Sequence, residues 1–383
     1  MFRSLIDFIR KIYEVNGFIA LHEPLIGDLE KEYINKVLDS GFVSSVGEEV
    51  KEFERQISSF VGAKFAIATS NGTSALHAAL LVAGVQPKDE VITQSLTFVA
   101  TSNAIHYCNA NPIFIDVDRS NLGLSEDSLE DFLTKNCEIR DDGFCWNRAT
   151  KKIVRACVPM HTFGLSANLF EIREICNRYN IVLIEDAAES LGTKNKNSHS
   201  GTIGDLGIIS FNGNKIITTG GGGIVVTNNQ AMARKLKHLT TTAKVSHEWN
   251  FSHDMVGYNY RMPNLNAALG LAQLQRLNEY IQIKRDIALS YQSWGERNGF
   301  NFVKELSGTR SNYWLNTMLV EDREVRDLLL KETNDHSIMT RPAWDPVHLM
   351  TANTHCQRDS LENTNWLADR IINLPSGVPK NEH

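Results

Sequence analysis

Between about residues 60 and 230 the chain alternates short runs of apolar and β-branched residues with amphipathic stretches. The runs fall at 65–68, 90–93, 112–117, 153–158, 181–184, 207–211 and 223–227. They are too short for core helices, and their unbroken apolar character predicts strands covered on both faces. The text at 73–83 and 167–179 has helical spacing. Strands separated by helices predict an α/β domain built on a mostly parallel sheet. After residue 262 the pattern changes. Pro263 can open a helix, and Leu265, Leu269, Leu274, Leu277 and Ile281 recur at roughly helical spacing toward Arg297. Strand candidates at 301–303 and 313–320 suggest a smaller α+β C-terminal domain. The chain therefore divides into an N-terminal extension (1–22), a large domain (23–270) and a small domain (271–383). The extension carries a helical apolar stripe of Leu5, Ile6, Ile9, Ile12 and Tyr13. Docking on the body of the protein or on a partner subunit is expected for it, with a membrane surface as the alternative.

Charge and composition narrow the function. Against 39 Lys and Arg stand 45 Asp and Glu, a net charge of −6 with no basic cluster, which argues against nucleic acid as a partner. Cys108, Cys137, Cys145, Cys157, Cys176 and Cys356 form no C-x-x-C pair and no set with metal-ligand spacing. Free thiols in a reducing cytoplasm, with no metal, are expected. No apolar run approaches the roughly 20 residues of a membrane span.

Four stretches carry candidate chemistry, each at a predicted strand end, where open parallel sheets bind ligands. In Ser70-Asn-Gly-Thr-Ser-Ala-Leu76 a strand turns through Gly72 into a helix, which makes either an anion site or an ordinary helix cap. Asp186 sits just past the strand at 181–184, placed to pair with a cationic ring nitrogen or to cap the following helix. Lys215 has no charged neighbour for several residues and precedes Gly220 to Gly223. A sheltered lysine is a candidate amine nucleophile, and the glycines would let backbone approach a ligand. No Walker ending and no dinucleotide fingerprint accompany them. Phe98, in the stretch 95–101, could stack on a flat ring or fill core. An amine nucleophile, an acid for a ring nitrogen, a phosphate cradle and a stacking aromatic are together what pyridoxal 5'-phosphate requires.

The set Gly72-Thr73-Ser-Ala-Leu76, Thr97-Phe98, Glu185-Asp-Ala-Ala-Glu189, Ser210-Phe-x-x-x-Lys215, the glycine run and Gly257-Tyr-Asn-Tyr-Arg-Met262 resembles the DegT/DnrJ/StrS sugar aminotransferases. Those are fold type I pyridoxal-phosphate enzymes. Further text at 21–24, 42–47, 210–215 and 339–344 is similar to the LegC-like branch. That branch aminates C4 of a UDP-linked 4-keto-6-deoxy-N-acetylhexosamine on routes to bacillosamine- or legionaminic-type sugars. The resemblance implies Lys215 as the Schiff-base residue and general base, and Asp186 as partner of the pyridine nitrogen. It places Glu189 at the phenolic oxygen, where many members have Gln, and Phe98 on the ring. Gly72, Thr73 and Ser210 would hold the phosphate. Asn259 would reach the phosphate in a neighbouring subunit, which implies a homodimer with shared sites. His161 matches a landmark near the site, without an assigned role. Arg261, Asn316, Arg341 and Trp344 are candidate sugar contacts by position. L-Glutamate would be the amino donor, with pyridoxamine 5'-phosphate as the intermediate cofactor form. Other nucleotide sugars (dTDP- or GDP-linked) and an inactive regulatory homologue are the alternatives. A related dehydratase would carry histidine in place of Lys215.

Overall fold

A computed structural model describes residues 2–380. The principal helices and strands begin, in chain order, with α1 (Arg3–Tyr13), α2 (Asp28–Ser40), α3 (Glu48–Val61), β1 (Phe65–Thr69), α4 (Gly72–Val82), β2 (Glu90–Gln94), α5 (Val99–Tyr107) and β3 (Asn111–Ile115). There follow α6 (Glu126–Asn136), β4 (Val154–Val158), α7 (Leu169–Arg178), β5 (Val182–Asp186), β6 (Leu206–Ser210), β7 (Gly223–Thr227), α8 (Gln230–Thr240) and α9 (Asn264–Asn298). The seven strands form one sheet in the order β1-β7-β6-β5-β4-β2-β3, in which only the pairings of β7 are antiparallel. This is the large, mostly parallel sheet of the fold type I transferases, as the strand pattern predicts.

Consecutive residues of a strand bury on opposite faces of the sheet. Ile184, Ile208 and Val225 join a core with Ala79 and Leu80 of α4, Ile105 of α5 and Leu236 of α8. Their neighbours Ile209, Ile224 and Val226 pack against Phe53 and Ile57 of α3. Leu183, Ile92 and Ile113 meet Leu129 and Leu133 of α6 and Ile172 of α7. Burial on both sides explains why the strands read as unbroken apolar runs.

Pro263 does precede a helix, and α9 runs without interruption through the expected domain boundary at residues 270–271. Beyond it β8 (Asn301–Phe302), β9 (Asn316–Leu319), α10 (Arg323–Asp335), β10 (Arg341–Pro342), α11 (Glu362–Ala368) and β11 (Ile371–Leu374) make a small antiparallel sheet in the order β8-β9-β11-β10 with its helices. The stripe on α1 docks on the body of the protein. Leu5, Ile6, Ile9 and Tyr13 pack with Ile287, Tyr291 and Trp294 of α9 and with Met318 and Ile372 of the small sheet. Its apolar face is thus not free for a membrane. No helix among the described residues is long and apolar enough to cross one.

Candidate active site

The strand register brings distant parts of the chain to one edge of the sheet. Gly223 at the start of β7 stands opposite Thr69 on one side and Ser210 on the other, and Ile208 of β6 pairs with Asp186 of β5. The turns leaving β1, β5 and β6 therefore meet. Between them lies a cavity of about 310 Å³ lined by Gly72, Thr73, Phe98, Asp186, Glu189, Ser210, Lys215, Trp314 and Trp344, among others. That size suits one small cofactor with room for part of a substrate. Two larger hollows, of about 400 and 570 Å³, share Glu54 and Lys237. Those side chains pair with each other at 2.7 Å.

Lys215 sits in the turn after β6, and its Nζ donates to Glu189 Oε1 at 3.0 Å. The lysine side chain is 13 % exposed and that of Glu189 2 %. Glu189 Oε2 accepts from the Phe163 N–H at 2.9 Å. Burial pushes the Glu189 carboxyl up, against the opposing pull of the Lys215 ammonium and the Phe163 N–H. Asp186 is also buried. Its Oδ2 accepts from Thr101 Oγ1 at 2.7 Å and its Oδ1 from the Ala188 N–H at 3.2 Å. Burial raises its carboxyl as well, with those two hydrogen bonds and the Lys215 charge opposing. Two buried carboxyls thus feel one ammonium, and among the described residues no lysine or arginine forms an ion pair with the acid at the end of β5. A positively charged ring nitrogen would supply a cationic partner.

At the start of α4 the Asn71 side chain accepts from Ser74 N at 2.8 Å. The first N–H groups of a helix have no partner within it, and Gly72 and Thr73 line the cavity beside Ser210. A Cβ at Gly72 would stand 3.0 Å from Ser210 Cβ and 3.1 Å from its Oγ, so a larger side chain there would crowd this edge of the cavity. Gly72→Val is expected to weaken cofactor binding about tenfold or more, about 1.4 kcal/mol, with little change in the unfolding midpoint of the cofactor-free protein. A cofactor titration read by absorbance, beside a melt, checks both. The Asn71 cap and the stretch that lines the cavity thus lie in the same turn.

The other expected residues divide. Phe98 caps α5, is 48 % exposed and lines the cavity, so it is not core filler. Trp344 also lines it, with ring centroids 4.9 Å from Phe163 and 6.2 Å from Phe98. Asn316 does not: its backbone N and Nδ2 donate to Ser376 Oγ at 2.7 and 3.0 Å inside the small sheet. Arg341 spends its Nη1 on Asn334 Oδ1 and the Thr340 carbonyl, away from the cavity. Arg261 Nε donates to Asn259 Oδ1 at 3.0 Å, and neither residue lines this chain's own cavity. Within the glycine run, Gly222 and Gly223 lie tight against protein, whereas Gly220 and Gly221 do not. A Cβ at Gly223 would meet Asn71 O at 2.4 Å, so the glycine lets β7 cross the turn into α4. His161 is wholly buried, with Nε2 3.0 Å from Glu185 Oε2 and Nδ1 accepting from Ala167 N at 3.3 Å. Its backbone N–H holds the Asp186 carbonyl at 3.0 Å, so it braces the acid from behind. Sequence reasoning did not single out Thr101 or Trp314. Thr101 lies within the stretch already noted, whereas Trp314 has no local signal, coming from the small domain to place its ring 4.0 Å from Lys215 Nζ.

A mostly parallel seven-stranded sheet with this lysine, acid, aromatic and helix N-terminus at one edge defines a fold type I pyridoxal-phosphate-dependent aminotransferase. The sequence pattern of the DegT/DnrJ/EryC1/StrS aminotransferase family matches residues 24–381, and the chain belongs to that family. It is 37% identical over 364 residues to a GDP-perosamine synthase of Escherichia coli O157:H7, covering 94% of this chain and 93% of that one. The putative pyridoxal phosphate-dependent aminotransferase EpsN of Bacillus subtilis is 36% identical, with 94% and 91% covered. Among solved structures, the aminotransferase TlmJ of Streptoalloteichus hindustanus superposes with a TM-score of 0.85 at 26% identity, covering 94% of each chain. The family expectation holds. The narrower one, a UDP-linked substrate of the LegC-like branch, meets relatives named for a GDP-linked sugar instead.

Proposed function

We propose that the chain transfers the amino group of L-glutamate to the keto carbon of a nucleotide-linked sugar, with Lys215 as the residue that holds the cofactor and moves the proton. The observation that carries this reading is the meeting of Lys215, Glu189, Asp186 and the start of α4 around one cavity. Bound there, pyridoxal phosphate supplies an electron sink for a carbanion. The chain supplies the rest. Asp186 keeps a positive charge on the ring nitrogen, and Phe98 packs against the ring. Gly72, Thr73 and Ser210 hold the phosphate at the positive end of α4. Lys215 takes the proton from the donor's α-carbon and later returns one to the former keto carbon, with Glu189 steering its Nζ. Trp344 offers an aromatic wall at the mouth for the sugar.

The nucleotide is GDP in the reading favoured by three relatives named GDP-perosamine synthase, 34% to 37% identical over 94% of this chain. A UDP-linked 4-keto-6-deoxy-N-acetylhexosamine is the second reading, favoured by the stretches at 21–24, 42–47 and 339–344. Purified protein given L-glutamate and either the GDP-linked or the UDP-linked 4-keto-6-deoxy sugar should aminate the GDP substrate with a kcat/KM at least about tenfold higher, with the product's amine located by NMR. Preference for the UDP sugar reverses the choice of nucleotide, and loss of glutamate with neither removes the sugar reading.

A second copy of the chain is the proposed partner. Trp249, Phe251 and Val256 are 71%, 82% and 80% exposed and lead directly into the Gly257–Met262 loop that carries Asn259. Large apolar side chains so exposed support burial against another subunit. All six cysteines are buried free thiols, which suits the expected cytoplasmic location.

A further inference from the structure

Lys284, near the middle of α9, is fully buried. Its Nζ donates to the carbonyl of Trp314 at 3.1 Å and to the carbonyl of Ser376. Both acceptors are main-chain groups of the small domain, and among the described residues no carboxylate forms an ion pair with it. Burial holds the Lys284 amine well below the usual lysine range. Two main-chain carbonyls receive N–H groups of this amine. An apolar side chain of the same length would fill this space without the cost of burying a polar group. What the amine adds is a fixed position for the backbone at Trp314.

That position matters one step further on. The Trp314 indole N–H donates to the carbonyl of Asn214 at 2.8 Å, the residue immediately before Lys215. The face of the same indole lies 4.0 Å from Lys215 Nζ. Trp314 N is held in turn by Asn312 Oδ1 at 2.8 Å. A single side chain therefore grips the backbone beside the reactive lysine and lies along its amine, and its own backbone is pinned from α9.

We propose that Lys284 is a positioning residue for Lys215, acting through Trp314 to fix the reach and direction of the Lys215 amine. This rests on the reading of Lys215 as the amine that captures the cofactor. In that capture the amine nitrogen adds to the aldehyde carbon and one water leaves. Misdirecting the amine slows this closure without loosening the phosphate, which is held separately at α4.

The test uses full-length protein stripped of cofactor, mixed with pyridoxal phosphate over a range of concentrations and followed by absorbance. Borohydride reduction and peptide mass then locate the attachment. Lys284→Met should lower the maximal rate of covalent capture about tenfold or more and leave the half-saturating concentration within about twofold. Placed on a Trp314→Ala background it should add less than about twofold, because the path is already cut. Wild-type capture kinetics in Lys284→Met, or full multiplication of the two effects, overturns the proposal. Should Lys284→Met fail to fold, Trp314→Phe keeps a ring and loses the bond to Asn214; the same split supports the proposal and unchanged kinetics refute it. Attachment of wild type anywhere but Lys215 instead refutes the functional reading beneath it.

Discussion

Lys215→Ala is expected to abolish turnover, by about 10⁴-fold or more, while the protein still folds. A positioned acid–base group contributes up to about 10⁴-fold, and here one amine both captures the cofactor and carries the proton. Among the described residues no other lysine lines the cavity, so no replacement is at hand. The variant also has a distinctive stability profile. Lys215 is the cation that opposes the burial of Glu189; without it the Glu189 carboxyl climbs further above its unfolded value. A carboxyl raised in the folded state contributes stability below its unfolded range and loses it as pH rises through the folded value. The melting temperature of cofactor-free Lys215→Ala should therefore trail wild type by more at about pH 8 than at about pH 5. Steady-state transamination by this variant, or a deficit that shrinks with rising pH, would contradict these roles.

Asp186→Asn should separate binding from stability in opposite directions. Asparagine keeps the shape and can still accept one of the bonds from Thr101 and Ala188, but it has no charge to set against a cationic ring nitrogen. Removing one partner of a buried charged pair costs about 2–5 kcal/mol, so cofactor affinity should fall by more than about thirtyfold and proton transfer should slow with it. The cofactor-free protein should change the other way. Burial raises the folded Asp186 carboxyl, so in wild type this residue costs stability increasingly as pH rises above the ordinary aspartate range. The neutral amide escapes that cost. Cofactor-free Asp186→Asn should thus melt higher than wild type near neutral pH, with the advantage fading toward about pH 4. Equal cofactor affinity in an absorbance titration would remove the proposed role of this carboxylate.

Much of the large domain was legible because its chemistry is local. Runs such as 181–184 and 207–211 are apolar on both faces, and a strand with helices above and below leaves no other pattern. The Ser70–Leu76 turn, Asp186 and Lys215 could be singled out for the same reason, since each follows directly on such a run. Asn316 and Arg341 do not line the cavity, and nothing local in the sequence fixes where a strand of the small sheet points. One is consumed by Ser376 and the other by Asn334 and a neighbouring carbonyl. The glycine run was read as clearance for a ligand, yet the clearance at Gly223 is for the Asn71 carbonyl.

The sequence by itself determined the alternation of buried strands and helices, and the identity of the amine and acid at their ends. These follow from side-chain period and from the nearest neighbours along the chain, which any stretch of sequence displays. Only the tertiary structure decided that Trp314 and Lys284 stand behind the lysine, that Thr101 and His161 brace the acid, and that α1 is spent on the small domain. Those contacts join residues separated by tens to hundreds of positions, and their geometry is set by how the sheet twists and the layers pack, which no local pattern records.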